Sequence, residues 1–187
     1  MRENREFSLQ TPLGCQRALA KEIERLTSDM LFQNAEEPHD LVKLKVYEQS
    51  IPIKDSTAET DAGGDEEDTI EFDQGDVADG VIKCPWCTVK IEKGYQEGPD
   101  QKQYVKVNIV FGIYNNSLDN NGHYEALNLI ERLMVRFGKD PLLDHQYECT
   151  GAFNWELNEE DTFPFTFALL STEFRFRGVM KRESRFL

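Results

Sequence analysis

The stretch YVKVNIVFGIYNN, residues 104–116, decides the fold of this chain of 187 residues. In an extended strand successive side chains point to opposite faces. One face of this stretch would therefore be made by Val105, Val107, Ile109, Phe111 and Ile113. The opposite face also carries Val110 and Tyr114, so the pattern predicts a central strand that is covered on both sides at one end.

A helix is predicted directly after this strand. The turn residues SLDNNG lead into HYEALNLIERLMVRFGKD, residues 123–140. Apolar side chains recur there at helical spacing, and they are Tyr124, Leu127, Ile130, Met134 and Phe137, with Leu133 beside them. Gly138 is the expected residue just after the helix. We therefore expect a helix over about 122–138.

The N-terminal part predicts a second helix and a strand. Thr11 and Pro12 form a typical start of a helix that should run to about Phe32. The following segment, DLVKLKVYEQSIPI, alternates Val42, Leu44 and Val46 with lysines. This alternation predicts a strand with one solvent-exposed face.

Two strands are expected near the C-terminal end. The first, YECTGAFNWELNEE, places Phe153, Trp155 and Leu157 on one side. In the second, FPFTFALLSTEFRFRG, the apolar positions change from odd to even numbers between Leu169 and Leu170, which indicates a bulge or a change of covered face. The element order predicts an α+β fold, a mostly antiparallel sheet with an N-terminal helix and a second helix packed on it. We expect one domain over 1–187 with an acidic loop insertion at about 54–80.

Acidic residues are concentrated in that insertion. The net charge of the chain is −14, and eleven acids without any base lie between Asp55 and Asp79. Without these eleven acids the net charge would be −3 rather than −14. The excess of acidic over basic residues argues against a general nucleic-acid binder, because phosphate contacts need Lys and Arg. The segment is interpreted as a solvated loop or, alternatively, as a docking or channel-facing loop.

Two features of the sequence bear on its compartment. No apolar run approaches the ~20 residues of a membrane span, so no membrane partner is expected. The start MRENREFSLQ lacks the apolar region of a signal peptide. We therefore expect folding in a reducing cytoplasm, with Cys15, Cys84, Cys87 and Cys149 unpaired.

The motif CPWC, residues 84–87, has the spacing of zinc sites and redox dithiols. A structural zinc site needs four ligands, and the remaining cysteines and histidines form no second pair at ligand spacing. A redox dithiol needs a helix after its second cysteine, whereas TVKIEK after Cys87 is typical of a strand. We interpret Cys84 and Cys87 as small apolar residues at a strand start, with Pro85 at an edge or entry position. No metal or cofactor is predicted.

A group of carboxylates suggests one alternative, in which the protein is an enzyme. They are Glu156, Glu159, Glu160 and Asp161. Clustered carboxylates can hold Mg²⁺ in nucleases, but no Lys or His stands at a fixed offset to complete such a site. The segment is better interpreted as a solvated hairpin turn. Phosphate-binding, nucleophile-elbow and zinc-protease motifs do not occur, and we predict that the chain is not an enzyme.

About half of the chain resembles a known family. The stretches concerned are YVKVNIVFGIYNNSLDNNGHYEALNLIERL (104–133), DPLLDHQYE (140–148) and FNWELNEEDTFPFTFALLSTEFRF (153–176). They are similar to tail terminator proteins of long-tailed bacteriophages and prophages of Gram-positive bacteria. The resemblance implies a sandwich of sheet and helices and a structural virion protein. Such proteins form a hexameric ring on the finished tail tube, stop tube polymerisation and provide the surface that joins the head and neck.

A ring of this kind implies partners and candidate residues. The implied partners are other copies of the chain, the tail tube protein and a head-completion or neck protein, with DNA passing through without sequence-specific binding. The expected location is the tail–neck junction of the virion, after assembly in the host cytoplasm. Our candidates for the subunit interface or the channel wall are Asp65, Glu66, Glu67, Asp68, Glu71, Asp73, Phe174, Phe176, Arg182, Arg185 and Phe186.

Three other functions remain as alternatives at this point. Another neck protein, of the head-completion or connector type, would share the fold and the ring. A metal-dependent nuclease would use the carboxylates named above. A regulatory module that mimics DNA would be acidic and would bind a basic partner as a monomer or dimer.

Overall fold

The computed structural model describes residues 10–51, 84–119, 121–158 and 163–178, which form two helices and eight strands. The helices are α1 (Pro12–Leu26) and α2 (Gly122–Lys139). The strands are β1 (Phe32–Gln33), β2 (Leu41–Val42), β3 (Lys45–Glu48), β4 (Trp86–Gln96), β5 (Lys102–Tyr114), β6 (Leu142–Leu143), β7 (Tyr147–Leu157) and β8 (Phe165–Arg177).

A six-stranded sheet organises the fold. Its strand order is β3-β4-β5-β8-β7-β6, and β1 and β2 form a separate antiparallel pair. Only β3 and β4 run parallel within the six-stranded sheet, because a long connection separates them in sequence. The other neighbours are antiparallel. The predicted α+β fold with a mostly antiparallel sheet is therefore confirmed, and β5 lies in the centre as expected.

Both helices pack on the same face of this sheet. α1 lies over β3 and β4, and α2 lies over β5, β7 and β8. Arg136 of α2 donates a hydrogen bond to Glu22 of α1, so the two helices lie side by side. The hydrophobic core lies between the helices and the sheet. Its largest fully buried side chains include Phe32, Phe111, Phe174, Leu19, Ile23, Ile109, Ile113, Leu129 and Leu170.

The helix boundaries differ from the predicted ones. Thr11 caps α1 as expected, since the Gly14 N–H donates to its hydroxyl at 3.0 Å. The helix ends at Leu26 instead of Phe32, because the Thr27 hydroxyl donates to the Ile23 carbonyl and a turn follows. Gly138 lies inside α2 and is not the residue after it, since the helix continues to Lys139.

Two predicted strand features need correction. The single strand expected after α1 is divided into β2 and β3, with Leu44 buried between them. β8 contains no bulge against β5, because the two strands pair without a shift over their whole length. The change from odd to even apolar positions in β8 reflects its two faces, because Ala168, Leu170, Phe174 and Phe176 are buried under the helices whereas Phe165, Phe167 and Leu169 are half-buried on the opposite face. The irregularity lies in β7, between Cys149 and Phe153, where Gly151 has a φ of 80°.

The acidic insertion predicted at about 54–80 lies outside the described residues. The described helices and the longer strands follow one another in the predicted order. Neither described helix is long and apolar enough to cross a membrane.

Candidate functional site

One edge of the six-stranded sheet is left open along most of β7. β6 pairs only with Tyr147 and Glu148, and no other described strand pairs with the outer side of β7. The Asn158 N–H donates to the Phe167 carbonyl at 3.0 Å, toward β8. Because backbone groups alternate in direction along a strand, Phe153, Trp155 and Leu157 direct theirs away from β8. We call residues 153–157 the β7 edge.

An apolar groove lies beside the β7 edge. It has a volume of about 440 Å³, and its lining consists of Leu127, Ile130, Glu131, Met134, Val135 and Trp155. Trp155 is 47% exposed and Val135 is 45% exposed. Monomeric proteins leave few contiguous apolar surfaces uncovered, and such surfaces usually mark interaction sites. We call this surface the α2–β7 groove.

The opposite edge of the sheet is formed by β3. The N–H groups of Lys45 and Gln49 donate to the carbonyls of Pro85 (3.3 Å) and Val89 (2.9 Å), toward β4. Val46 and Glu48 therefore direct their backbone groups outward, and in the described part of the chain no strand pairs with them. We call residues 45–48 the β3 edge. Lys45 is exposed on it.

Side-chain hydrogen bonds of Gln16 and Gln49 hold the β3 edge in place. The Gln16 side chain on α1 donates to the Val89 carbonyl at 2.6 Å and to the Gln49 Oε1 at 3.0 Å. The same Gln49 oxygen accepts the Ile91 N–H at 3.0 Å. These bonds join α1, β4 and the residue that follows β3, so the β3 edge is fixed against the rest of the sheet.

Another open region, at the end of the sheet near Gly178, holds a cluster of paired charges. Arg175 Nε donates to Glu148 at 2.8 Å, and Lys102 lies 3.4 Å from the same carboxylate. The Arg175 hydrogen bond lowers the pKa of Glu148 to about 2. A general acid near neutral pH needs a raised carboxyl pKa, whereas the pKa of Glu148 is lowered. We therefore interpret the cluster as structural.

The two cysteines of CPWC are buried and unpaired at the start of β4. Burial raises the pKa of Cys84 to about 12, and it also raises the pKa of the Cys87 thiol. Redox exchange and metal binding require the thiolate, which burial disfavours here. The interpretation as small apolar residues at a strand start is confirmed. Pro85 occupies the entry to an internal strand, because β4 lies between β3 and β5.

Of the carboxylates considered for a nuclease, only Glu156 lies within the described residues. Glu156 is exposed on the β7 edge, and Glu159, Glu160 and Asp161 lie outside the described residues. Among the residues that the structure describes, no group of three or more His, Cys, Asp and Glu side chains could hold a metal ion.

The candidate phenylalanines of β8 are not surface residues, so their predicted exposure is wrong. Phe174 is 0% and Phe176 is 3% exposed. Their rings make edge-to-face contacts with Phe137 (5.3 Å between centroids) and Tyr147 (5.2 Å). The helices cover this face of β8, which an alternating pattern alone does not reveal. The other candidates lie outside the described residues, and they are Asp65, Glu66, Glu67, Asp68, Glu71, Asp73, Arg182, Arg185 and Phe186.

Sequence reasoning missed the residues of the α2–β7 groove and of the β3 edge as interaction candidates. One feature could have indicated Val135, since it is apolar but lies beside the main stripe of α2. Trp155 was placed on the correct side of its strand, yet its exposure follows from the fact that no described strand pairs with the outer side of residues 153–157.

A partly buried carboxylate lies at the start of α2. Glu125 Oε1 accepts a hydrogen bond from Asn115 at 3.2 Å, and its buried Oε2 has no partner among the described residues. Burial raises the pKa of Glu125, and the Asn115 hydrogen bond partly opposes this. A carboxyl with a raised pKa in the folded state contributes stability at low pH, and this contribution is lost as pH rises through that pKa.

We therefore expect Glu125→Gln to gain stability relative to the wild type as pH rises from 4 to 8. The effect should be small, because Glu125 is only partly buried and solvent screens its charge. Urea unfolding at each pH measures it, and Glu131→Gln removes the same charge from the exposed side of α2 as a control. A difference that stays constant or falls with pH would contradict the expectation.

Comparison of the chain with protein-family models and with curated proteins finds no match.

Proposed function

We propose that this chain is a structural subunit of a phage tail, which assembles into a closed ring, terminates the tail tube and joins it to the neck. The observation that carries the proposal is the pair of open edges, the β7 edge and the β3 edge, on opposite sides of one sheet. The resemblance of the span from about Cys84 to Phe176 to tail terminator proteins supports the specific assignment.

Open edges of this kind suit assembly better than a monomer. An unpaired strand is a template for pairing with another chain, and proteins that stay monomeric usually cover or shorten such strands. The two edges differ in sequence, so contact between them would be head to tail. Head-to-tail contacts give a ring where the rotation closes and a filament where it does not.

The charge of the chain suits a channel for DNA. With a net charge of −14, a ring wall would repel phosphates and let DNA pass without binding it. We propose that the acidic segment at about 54–80 faces this channel or a basic neighbouring protein. The partners in this proposal are other copies of the chain, the tail tube protein and a head-completion protein.

The test is the assembly state of the purified protein, alone and mixed with tail tubes of the same virion. Light scattering gives the mass, and electron microscopy shows whether the protein lies at tube ends. We expect a closed ring that caps one end of the tube and prevents further growth. A protein that never caps tubes would overturn the terminator assignment, and rings that bind DNA-filled heads but not tubes would favour another neck protein.

A further inference from the structure

We propose that the β7 edge of one copy pairs with the β3 edge of the next copy, as an antiparallel extension of the sheet. In the proposed register Glu156 lies opposite Lys45 and Trp155 lies opposite Val46. This inference rests on the proposed ring and identifies the surface through which its subunits meet.

The strand directions make the contact antiparallel. β4 and β8 both run opposite to β5, so they run in the same direction. β3 is parallel to β4, whereas β7 is antiparallel to β8. β3 and β7 therefore run in opposite directions in each copy. A neighbour that continues the sheet with the helices on the same face must form an antiparallel pair.

Backbone direction and side-chain face limit the register. Val46 directs its backbone groups outward from β3, and Trp155 directs its groups outward from β7. Both residues also share the face on which the helices lie, since Val46 pairs with the buried Cys87 and Trp155 pairs with the buried Leu170. Opposed in an antiparallel pair, they would exchange two backbone hydrogen bonds.

Charge selects one of the allowed registers. Lys45 is the only base of β3, and Glu156 is the only acid between Thr150 and Leu157. Opposing Val46 to Trp155 brings these two charges together on the face away from the helices. A shift of two residues places Lys45 opposite Asn154 or Asn158 and loses the pairing of opposite charges. Opposite charges directly across an antiparallel pair stabilise it, and like charges destabilise it.

The pairing also accounts for part of the exposed apolar surface. The indole of Trp155 forms one wall of the α2–β7 groove and is half exposed in one copy. Across the proposed boundary, the half-buried Val46 lies directly opposite it. An aromatic and a β-branched side chain form one of the favourable cross-strand pairs.

A disulfide between copies tests the register. In the variant Lys45→Cys/Glu156→Cys the two positions form a non-hydrogen-bonded pair, in which side chains approach most closely and within reach of a disulfide. Within one copy these positions lie on opposite edges of the sheet, so a disulfide must join two copies. The four native cysteines are buried and do not compete. We expect oxidation on capped tubes to give a ladder of covalent oligomers.

A matched control and a charge exchange complete the experiment. Lys106→Cys/Glu156→Cys places the first thiol on β5, where β4 and β8 pair with both sides of position 106, and should give no ladder. Lys45→Glu and Glu156→Lys alone should each weaken tube capping about tenfold, since like charges then face each other, and their combination should restore it. Circular dichroism verifies that each variant is folded.

The outcomes separate this inference from the proposed function. Rings that cap tubes without a ladder for Lys45→Cys/Glu156→Cys, and without rescue by the charge exchange, would overturn the edge pairing and leave the ring intact. Absence of rings and caps in the wild type would overturn both. A ladder together with rescue supports the pairing and its register.

Discussion

Phe174→Ala should lower the free energy of unfolding by about 3–5 kcal/mol, which is the range for removal of a fully buried aromatic side chain. Phe174 lies in the C-terminal half of β8 and is 0% exposed. Its ring contacts Phe137 of α2 edge to face, and Val105 of β5 lies directly opposite it. Truncation therefore leaves a cavity between helix and sheet that rigid neighbours on both sides cannot fill.

Urea unfolding followed by far-ultraviolet circular dichroism measures this loss. Phe174→Leu keeps most of the volume and should cost less, about 1–1.5 kcal/mol. Leu118→Ala removes apolar atoms from a side chain that is 98% exposed, and it should change stability by less than about 0.5 kcal/mol. A stable Phe174→Ala variant that fails only in assembly would instead place Phe174 at an interface.

The central strand and the helices could be predicted because their patterns are long. β5 alternates over 13 residues, and α2 repeats its apolar stripe over 18 residues. Patterns of this length distinguish strand from helix whatever the rest of the chain does. The two-residue strands β1, β2 and β6 carry no such pattern. They exist only because tertiary contacts place them beside a partner strand.

The sequence of a strand does not show which of its two faces the helices cover. Phe165 and Phe174 belong to the same continuous strand, yet the first packs on Tyr114 and the second under α2. Alternation assigns them to opposite faces but does not say which face the helices cover. For this reason Phe174 and Phe176 could be taken for interface residues from the sequence, although both are core residues.

The exposure of a side chain at a sheet edge depends on whether a neighbouring strand or helix covers it, as well as on the type of residue. Trp155 and Val89 both occupy strands with alternating apolar residues, but Val89 is buried because β3 and β5 flank its strand and α1 covers it. Trp155 lies on the β7 edge, the part of β7 with which no described strand pairs on the outer side. The strand order and the position of α1 distinguish the two residues, and both involve contacts distant in sequence.

Gly112→Ala should lower the free energy of unfolding by about 1–3 kcal/mol, which is typical of overpacking. Gly112 lies in β5 opposite Trp86 of β4 on one side and Phe167 of β8 on the other. The Trp86 indole lies across the glycine toward Phe167, at 6.1 Å between ring centroids. A Cβ at position 112 would lie 2.5 Å from Trp86 Cε2 and 2.8 Å from its Nε1, so the indole must move.

A double-mutant cycle isolates this clash from other effects of the substitution. The Trp86→Ala background removes the three atoms nearest to the new methyl group, and Gly112→Ala should there be neutral or stabilising, because alanine loses less backbone entropy on folding than glycine. Gly138→Ala is the matched control. No atom lies within 4 Å of its added Cβ, so in α2 it should raise stability by about 0.5–1 kcal/mol. Equal losses for Gly112→Ala in both backgrounds would show that the indole does not require a glycine beneath it.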